Sequence, residues 1–254
     1  MPPCYDTHLS KVIAITNQKG GVGKTTTAIT IAHGLALKGR DTLLIDVDPQ
    51  GQAATALGLA VEPGLYNWIV ENRPAREVIR QARERLFVIP GNKQTDIVQQ
   101  LIRLLERPAD YLTQLLKPLK REGLKYVIFD TSPSVGGLQE RALYAADLVI
   151  IPTATDFLSA DAVAQTVATM QANVAMGWKG GAWVLPTFYD NTTRESQQTL
   201  NDLREVYGDQ VLDPIHRATV LRECAAEGRT IWEKDGESRA AKEYARLLYK
   251  VLEL

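Results

Sequence analysis

The sequence predicts an α/β fold, a mostly parallel sheet with helices on both faces. Three observations lead there. Short runs rich in aliphatic and β-branched residues alternate with longer helical patterns. The runs are apolar throughout rather than at every second residue, the pattern of strands covered on both sides. A glycine-rich loop separates the first run from the first helical segment, as a phosphate-binding loop requires.

Taken in order, Val12-Ile-Ala-Ile-Thr16 is the first strand, and a helix is expected from Thr25. Thr42-Leu-Leu-Ile-Asp46, Leu86-Phe-Val-Ile89, Tyr126-Val-Ile-Phe-Asp130, Leu148-Val-Ile-Ile151 and Ala182-Trp-Val-Leu185 are the strands that follow. Residues 94–122 read as a helical excursion broken near Pro108 and Pro118, because proline removes a backbone donor and disfavours helix in the residue before it. The last helix is expected over Ser238 to Leu252. Projected at about 100° per residue, Tyr244, Leu247, Leu248 and Val251 share one side and Arg239, Lys242, Arg246 and Lys250 form a basic stripe on the other. No repeat, low-complexity tract or Gly/Ser linker marks a boundary. One domain over residues 1–254 is expected, with 1–10 as a disordered N-terminal tail.

Composition narrows the function. With 254 residues, 45% hydrophobic and 23% charged, the chain can bury a substantial core. The net charge of −1 argues against coating by nucleic acid through bulk charge, so any DNA site has to be a local patch. Cys4 and Cys224 make no CxxC pair, which leaves a disulfide framework, a structural zinc and an iron–sulfur cluster unsupported. Met1 to Ser10 is polar and carries two prolines, and no apolar run is long enough to cross a bilayer, so a cytoplasmic location is expected.

The chemistry concentrates in three segments. In Asn17-Gln-Lys-Gly-Gly-Val-Gly-Lys-Thr-Thr-Thr27, Gly20, Gly21 and Gly23 permit a tight turn that aims N–H groups inward, where the helix N-terminus adds partial positive charge for phosphates. Lys24 supplies a cation near the β- and γ-phosphates, and the Thr25 hydroxyl is placed to ligate Mg²⁺. The loop departs from G-x-x-x-x-G-K-[ST], because Gln18 stands at the first glycine and a second lysine, Lys19, follows it. The second segment, Asp46-Val-Asp48-Pro49-Gln50-Gly51, puts two carboxylates at i and i+2 at the C-terminal end of a strand, the usual ligand crevice of an open α/β sheet. The third begins at Asp130, placed to hold magnesium through water, and continues as Thr131-Ser132-Pro133-Ser134-Val135-Gly136-Gly137, a loop able to respond to the γ-phosphate.

With these residues in place, the chain from Lys11 to Val251 resembles the ParA/MinD family of deviant Walker A ATPases, a branch of the P-loop NTPase architecture, and most of all the short, Soj-like ParA partition ATPases. Lys19-Gly20-Gly21-Val22-Gly23-Lys24-Thr25-Thr26 matches the family's K-G-G-x-G-K-T-T, and Asp46 to Gly51 matches its D-x-D-P-Q-G. The resemblance implies a cytoplasmic ATPase that binds ATP and Mg²⁺ and dimerises around the nucleotide. Lys19 is then the signature lysine that reaches the partner's phosphates, Asp48 the acid that positions the attacking water, and Asp130 the start of switch II. Serine replaces the first proline of the family's D-x-P-P-S. The I-P-R-N segment near the adenine reads Ile215-His216-Arg217-Ala218, so Phe188-Tyr189-Asp190 becomes the candidate adenine contact and His216 reads as a packing substitution for proline.

The resemblance also implies ATP-regulated binding to DNA without sequence preference. The ATP form would associate with the nucleoid, and a ParB-like or adaptor partner with a basic N-terminus would stimulate slow hydrolysis. Arg239 matches a basic residue of the family's DNA-binding surface. Val220 stands at a second such position, with Arg222 two residues later as its substitute; Lys242, Arg246 and Lys250 complete the expected DNA face. The alternative is a MinD-like or other family ATPase that positions a complex without DNA. A MinD-like protein would end in a basic amphipathic helix on anionic lipid, whereas the apolar side of the last helix here reads as a core face. No membrane partner is expected. Operator-reading relatives carry an N-terminal helix-turn-helix domain, and only a short stretch precedes the first strand here.

Overall fold

The computed structural model describes residues 10–134, 136–156 and 159–253. Cys4, Val135 and residues 1–9 of the expected tail lie outside them. Ser10 is buried, and its hydroxyl donates to the Leu124 carbonyl at 2.6 Å, so this end of the expected tail is packed.

In chain order the elements are β1 (Lys11–Ile15), α1 (Lys24–Leu37), β2 (Thr42–Asp46), α2 (Gln52–Ala56), α3 (Leu65–Ile69), α4 (Ala75–Val78), β3 (Arg80–Arg83), β4 (Leu86–Ile89), α5 (Thr95–Leu104) and α6 (Tyr111–Arg121). They continue with β5 (Tyr126–Asp130), α7 (Gly137–Ala145), β6 (Leu148–Ala154), α8 (Ser159–Ala175), β7 (Gly181–Thr187), α9 (Arg194–Tyr207), α10 (Thr219–Ala226), α11 (Ile231–Lys234) and α12 (Arg239–Leu252). The described strands form one sheet in the order β3-β4-β2-β5-β1-β6-β7, parallel except for β3, which runs antiparallel to β4.

The continuous apolar runs have the cause that the sequence suggested. Val12 and Ala14 of β1 face one core with Val127, Phe129, Val149 and Ile151. Ile13 and Ile15 face the other with Ile128, Ile150 and the buried side of α1. Successive side chains alternate faces, and both faces are buried.

One strand is added to those expected, and one local expectation changes. The strand β3 has no apolar run, since its residues are Arg-Gln-Ala-Arg, and it lies at the sheet edge where half-buried polar side chains keep solvent. Pro108 does fall between α5 and α6, but Pro118 lies inside α6. It sits on the exposed side, where water can satisfy the Gln114 carbonyl that proline leaves without a donor.

The site is fixed by topology. Strand β1 has parallel neighbours on both sides, β5 and β6, and the chain leaves it through α1 for β2 on the β5 side. That reversal opens a crevice at the carboxyl ends of the strands, where open α/β sheets bind ligands. Helix α12, capped by the Ser238 hydroxyl accepting from Ala241 N at 3.2 Å, closes over α1. Gly34 allows the close approach, because a Cβ there would stand 2.8 Å from Leu248 Cδ2. Among the described residues no helix is long and apolar enough to cross a membrane.

Candidate nucleotide site

The loop after β1 is held by side chains at both ends. Asn17, fully buried, donates from Nδ2 to the Pro152 carbonyl at 2.8 Å and to Thr153 Oγ1 at 3.2 Å, while its Oδ1 accepts from Lys19 N at 2.8 Å. The Thr187 hydroxyl donates to the Val22 carbonyl at 2.9 Å, tying the loop to the end of β7. Gly23 turns the chain into α1 at φ 89°, a left-handed conformation that a side chain would strain. Lys24 folds back so that Nζ donates to the Lys19 carbonyl at 2.9 Å. Burial lowers its pKa, and the charges of Asp130 and Asp48 oppose that shift. An ammonium held against desolvation by nearby acids is suited to a multiply charged anion.

The three predicted acids have different surroundings. Asp46 is fully buried and accepts from Asp48 N and Ala53 N, both at 3.0 Å. Burial raises its pKa well above the usual range, and the charges of Asp130 and Asp48 add to the rise. It therefore sits beneath the loop and shapes it, and it is not among the residues lining the cleft. Asp48 reaches the cleft wall, with Oδ1 accepting from Gln50 N at 2.9 Å. Gly51 closes this turn at φ 60°, and a Cβ there would approach the Gly91 carbonyl to 2.3 Å. Asp130 is 1% exposed, and neither carboxylate oxygen makes a hydrogen bond. Burial pushes its carboxyl up to about 7; the Asp48 charge adds to the rise, whereas the Thr25 hydroxyl and the Lys24 ammonium pull against it. Two orphaned buried oxygens beside a Thr25 hydroxyl are what a hydrated divalent cation satisfies. The residues fit magnesium.

A cleft of about 440 Å³ opens beside the loop, lined by Lys24, Thr25, Asp48, Phe188, His216 and Tyr244 among others. Phe188 holds φ at 52°, an uncommon conformation for a bulky residue, and its ring edge faces Gly23. Asp190 lies outside the cleft. Its Oδ1 accepts from Thr192 N at 2.9 Å and Thr192 Oγ1 at 2.6 Å, bonds that lower its pKa, so the carboxylate serves a turn. A larger cavity of about 800 Å³, lined by Leu43, Trp68, Phe87 and Leu119, lies away from the loop and shares no residue with this cleft.

His216 is more than a packing substitution. Its N and Nδ1 donate to Glu243 Oε2 at 2.8 Å and Oε1 at 2.7 Å, and its Nε2 meets the Arg239 guanidinium. The Tyr189 ring stands edge-on at 4.9 Å. Glu243 is 6% exposed and also accepts from Arg239 Nε at 2.9 Å. The next residue, Tyr244, bonds its hydroxyl to that of Thr27 at 3.1 Å, so α12 braces both the cleft wall and the helix that starts at the loop.

The expected stripe is present, with Arg239, Lys242, Arg246 and Lys250 all exposed on α12. Arg239 pairs with Glu243 and Lys242 with Glu237, whereas Arg246 and Lys250 enter no ion pair with a described residue. Lys38 adds a cation that the sequence did not flag, 5.1 Å over the exposed ring of Tyr249. Arg222 lies elsewhere, on α10 beside the loop.

Sequence reasoning missed two acids. Glu243 looks like any helical glutamate until the fold buries it under His216; the histidine in place of proline at 216 was its only signal. Asp156, 2.6 Å from Lys19 Nζ, has no local motif at all.

The AAA domain family model matches residues 10–175. The chromosome-partitioning ATPase Soj of Thermus thermophilus is 34% identical over 246 residues, covering 94% of both chains. Cobyrinic acid a,c-diamide synthase of Mycobacterium smegmatis, solved with an ATP analogue and magnesium, superposes with a TM-score of 0.81 at 27% identity, covering 96% of this chain and 94% of that one. An ATP complex of a McdA variant from Cyanothece superposes with a TM-score of 0.87 over 97% of both chains; at 22% identity this likeness concerns the fold.

Proposed function

Because this chain belongs to the Soj/ParA family and is an ATPase, we propose that it is an ATP-dependent dimerising switch. It positions or segregates a cargo, DNA or a protein complex, through ATP-regulated binding to DNA of any sequence. The observation that carries the ATP half is a buried Asp130 whose oxygens lack a hydrogen bond, standing beside the Thr25 hydroxyl at the foot of a phosphate loop that holds Lys24 inward.

Lys24 and the loop N–H groups hold the phosphates, and Asp48, alone of the three acids on the cleft wall, orients the attacking water and accepts its proton. Thr25 and Asp130 would hold magnesium, which would supply positive charge to neutralise the phosphates. Phe188 and His216 form the wall available to the base; Lys19 acts on the nucleotide of the second copy.

The DNA half is supported by four exposed cations on one helical face, with Arg246 and Lys250 unpaired by any described acid. One such stripe is short, and a dimer that brings two together multiplies the phosphate contacts and makes binding depend on ATP. A ParB-like or adaptor protein with a basic N-terminus stimulates hydrolysis and releases the dimer, so the ATP form is nucleoid-associated.

The test is binding to random-sequence duplex in ATP and in ADP over a salt series, beside binding to anionic vesicles. The expected result is ATP-dependent, salt-sensitive DNA binding and no vesicle binding, with Arg246→Glu/Lys250→Glu losing DNA while retaining ATP-dependent dimerisation. Arg239 is left intact because it braces the cleft wall. Vesicle binding, or DNA binding unchanged in the double variant, refutes this reading of the stripe.

A further inference from the structure

Two clefts flank the phosphate loop, and Gly20 and Gly21 line both. The larger contains Lys24, Thr25 and Asp48, the groups required by a phosphate chain bound in the same subunit. The smaller, about 290 Å³, contains Lys19, Arg217 and Arg222 with a single acid, Asp156. Three cations face one carboxylate there. Neither Asp48 nor Thr25 belongs to this smaller cleft, so an oxyanion lodged in it is held without being exposed to this subunit's own hydrolytic groups.

The cations stand on fixed backbone. Arg217 N donates to the Tyr189 carbonyl at 3.0 Å, Ala218 begins the turn into α10, and Arg222 follows one turn into that helix. Both arginines are exposed, and Arg222 lines the wall between the two clefts. Lys19 Nζ lies 2.6 Å from Asp156 Oδ1. A carboxylate oxygen thus occupies the position on this ammonium that a phosphate oxygen would take. Guanidinium groups suit such a ligand because their planar forks match phosphate oxygens in pairs.

We propose that Arg217 and Arg222 join Lys19 in a three-cation clamp for the phosphates of ATP held by a second copy of this chain, with Asp156 holding Lys19 until those phosphates arrive. The clamp rests on the ATP-dependent dimer proposed above and adds two residues to it. It also gives Arg222 a role at the subunit interface in place of the DNA contact expected from sequence.

The experiment uses Arg217→Ala/Arg222→Ala in the full chain, with ATP and magnesium as the probe. Monomer affinity for ATP, read by calorimetry under dilution, should stay within a few-fold of the parent, while ATP-dependent dimerisation, read by sedimentation, weakens at least ~10-fold from the loss of two charge-assisted contacts. Mixing this variant with Lys24→Ala, which keeps the clamp but lacks its own nucleotide site, should restore a dimer and ATP turnover that neither variant has alone. Equal dimerisation of parent and variant overturns the clamp and leaves the dimer standing. So does loss of monomer ATP affinity, which would place the arginines on their own subunit's nucleotide, or a mixture that stays inactive. Loss of DNA binding with dimerisation intact also overturns it and returns Arg222 to a DNA face. A parent chain that stays monomeric in ATP overturns the dimer and the clamp together.

Discussion

Asp130→Asn should stabilise the nucleotide-free protein while removing its response to magnesium. The wild-type carboxyl is 1% exposed with both oxygens unbonded, and burial raises its pKa from 3.8 to about 7. At ~1.4 kcal/mol per pKa unit, the ionised group handicaps the fold by on the order of 4 kcal/mol above pH 7. Asparagine leaves a buried amide in the same place, which offsets part of this, so the net gain is on the order of 1–3 kcal/mol. The sign follows from proton uptake. Between 3.8 and about 7 the folded state binds more protons than the unfolded one, so this site's handicap shrinks as pH falls through 7 and disappears below 3.8. Urea unfolding in EDTA at pH 8 and pH 6 should show a higher midpoint for the variant at pH 8 and a smaller difference at pH 6. With ATP, magnesium should raise the midpoint of the wild type and leave the variant unchanged. A variant less stable than wild type at pH 8 would show that the carboxylate has partners, and the magnesium assignment would lose its main support.

Lys24→Ala should weaken Mg·ATP binding by about 10²-fold or more in calorimetry, since it removes the ammonium that the loop holds inward for the phosphates. Asp48→Ala should retain ATP affinity but slow turnover by about 10²-fold or more, and size-exclusion chromatography in ATP should show an accumulated dimer. His33, 4% exposed and bonded to the Thr230 hydroxyl at 2.7 Å, has its pKa lowered by burial. Its contribution to stability therefore falls as pH drops below 6.5, and His33→Gln should flatten the acid side of the urea-midpoint profile.

The central strands and the phosphate loop were legible because their signals are local. A run apolar on both alternating positions can only be covered on both faces, and K-G-G-x-G-K needs its glycines at fixed offsets whatever surrounds it. The α12 stripe was legible for the same reason, since helical period and charge suffice to sort its residues. Strand β3 was not, because an edge strand of Arg-Gln-Ala-Arg carries no periodic apolar signal and exists through its pairing with β4. The difference between Asp46, tied down by two backbone amides, and Asp130, with neither oxygen bonded, lies in contacts that residue identity does not encode. Asp190 illustrates the same limit: its position near Phe188 suggested a base contact, but its carboxylate closes a turn with Thr192. Pairings between distant segments, Lys19 with Asp156 and His216 with Glu243, emerge only when the fold brings those segments together.

The first helix and the last helix meet beside the nucleotide cleft. Tyr244 holds Thr27 and Glu243 holds His216, while Leu248 closes against Gly34. During synthesis, the loop that grips phosphates leaves the ribosome long before the helix that braces it. A nascent or truncated chain ending ahead of Arg239 has its glycines and Lys24 but lacks the brace on α1 and on the far wall. The cleft is complete only once α12 has packed on α1, and a chain cut ahead of Arg239 lacks one of its walls.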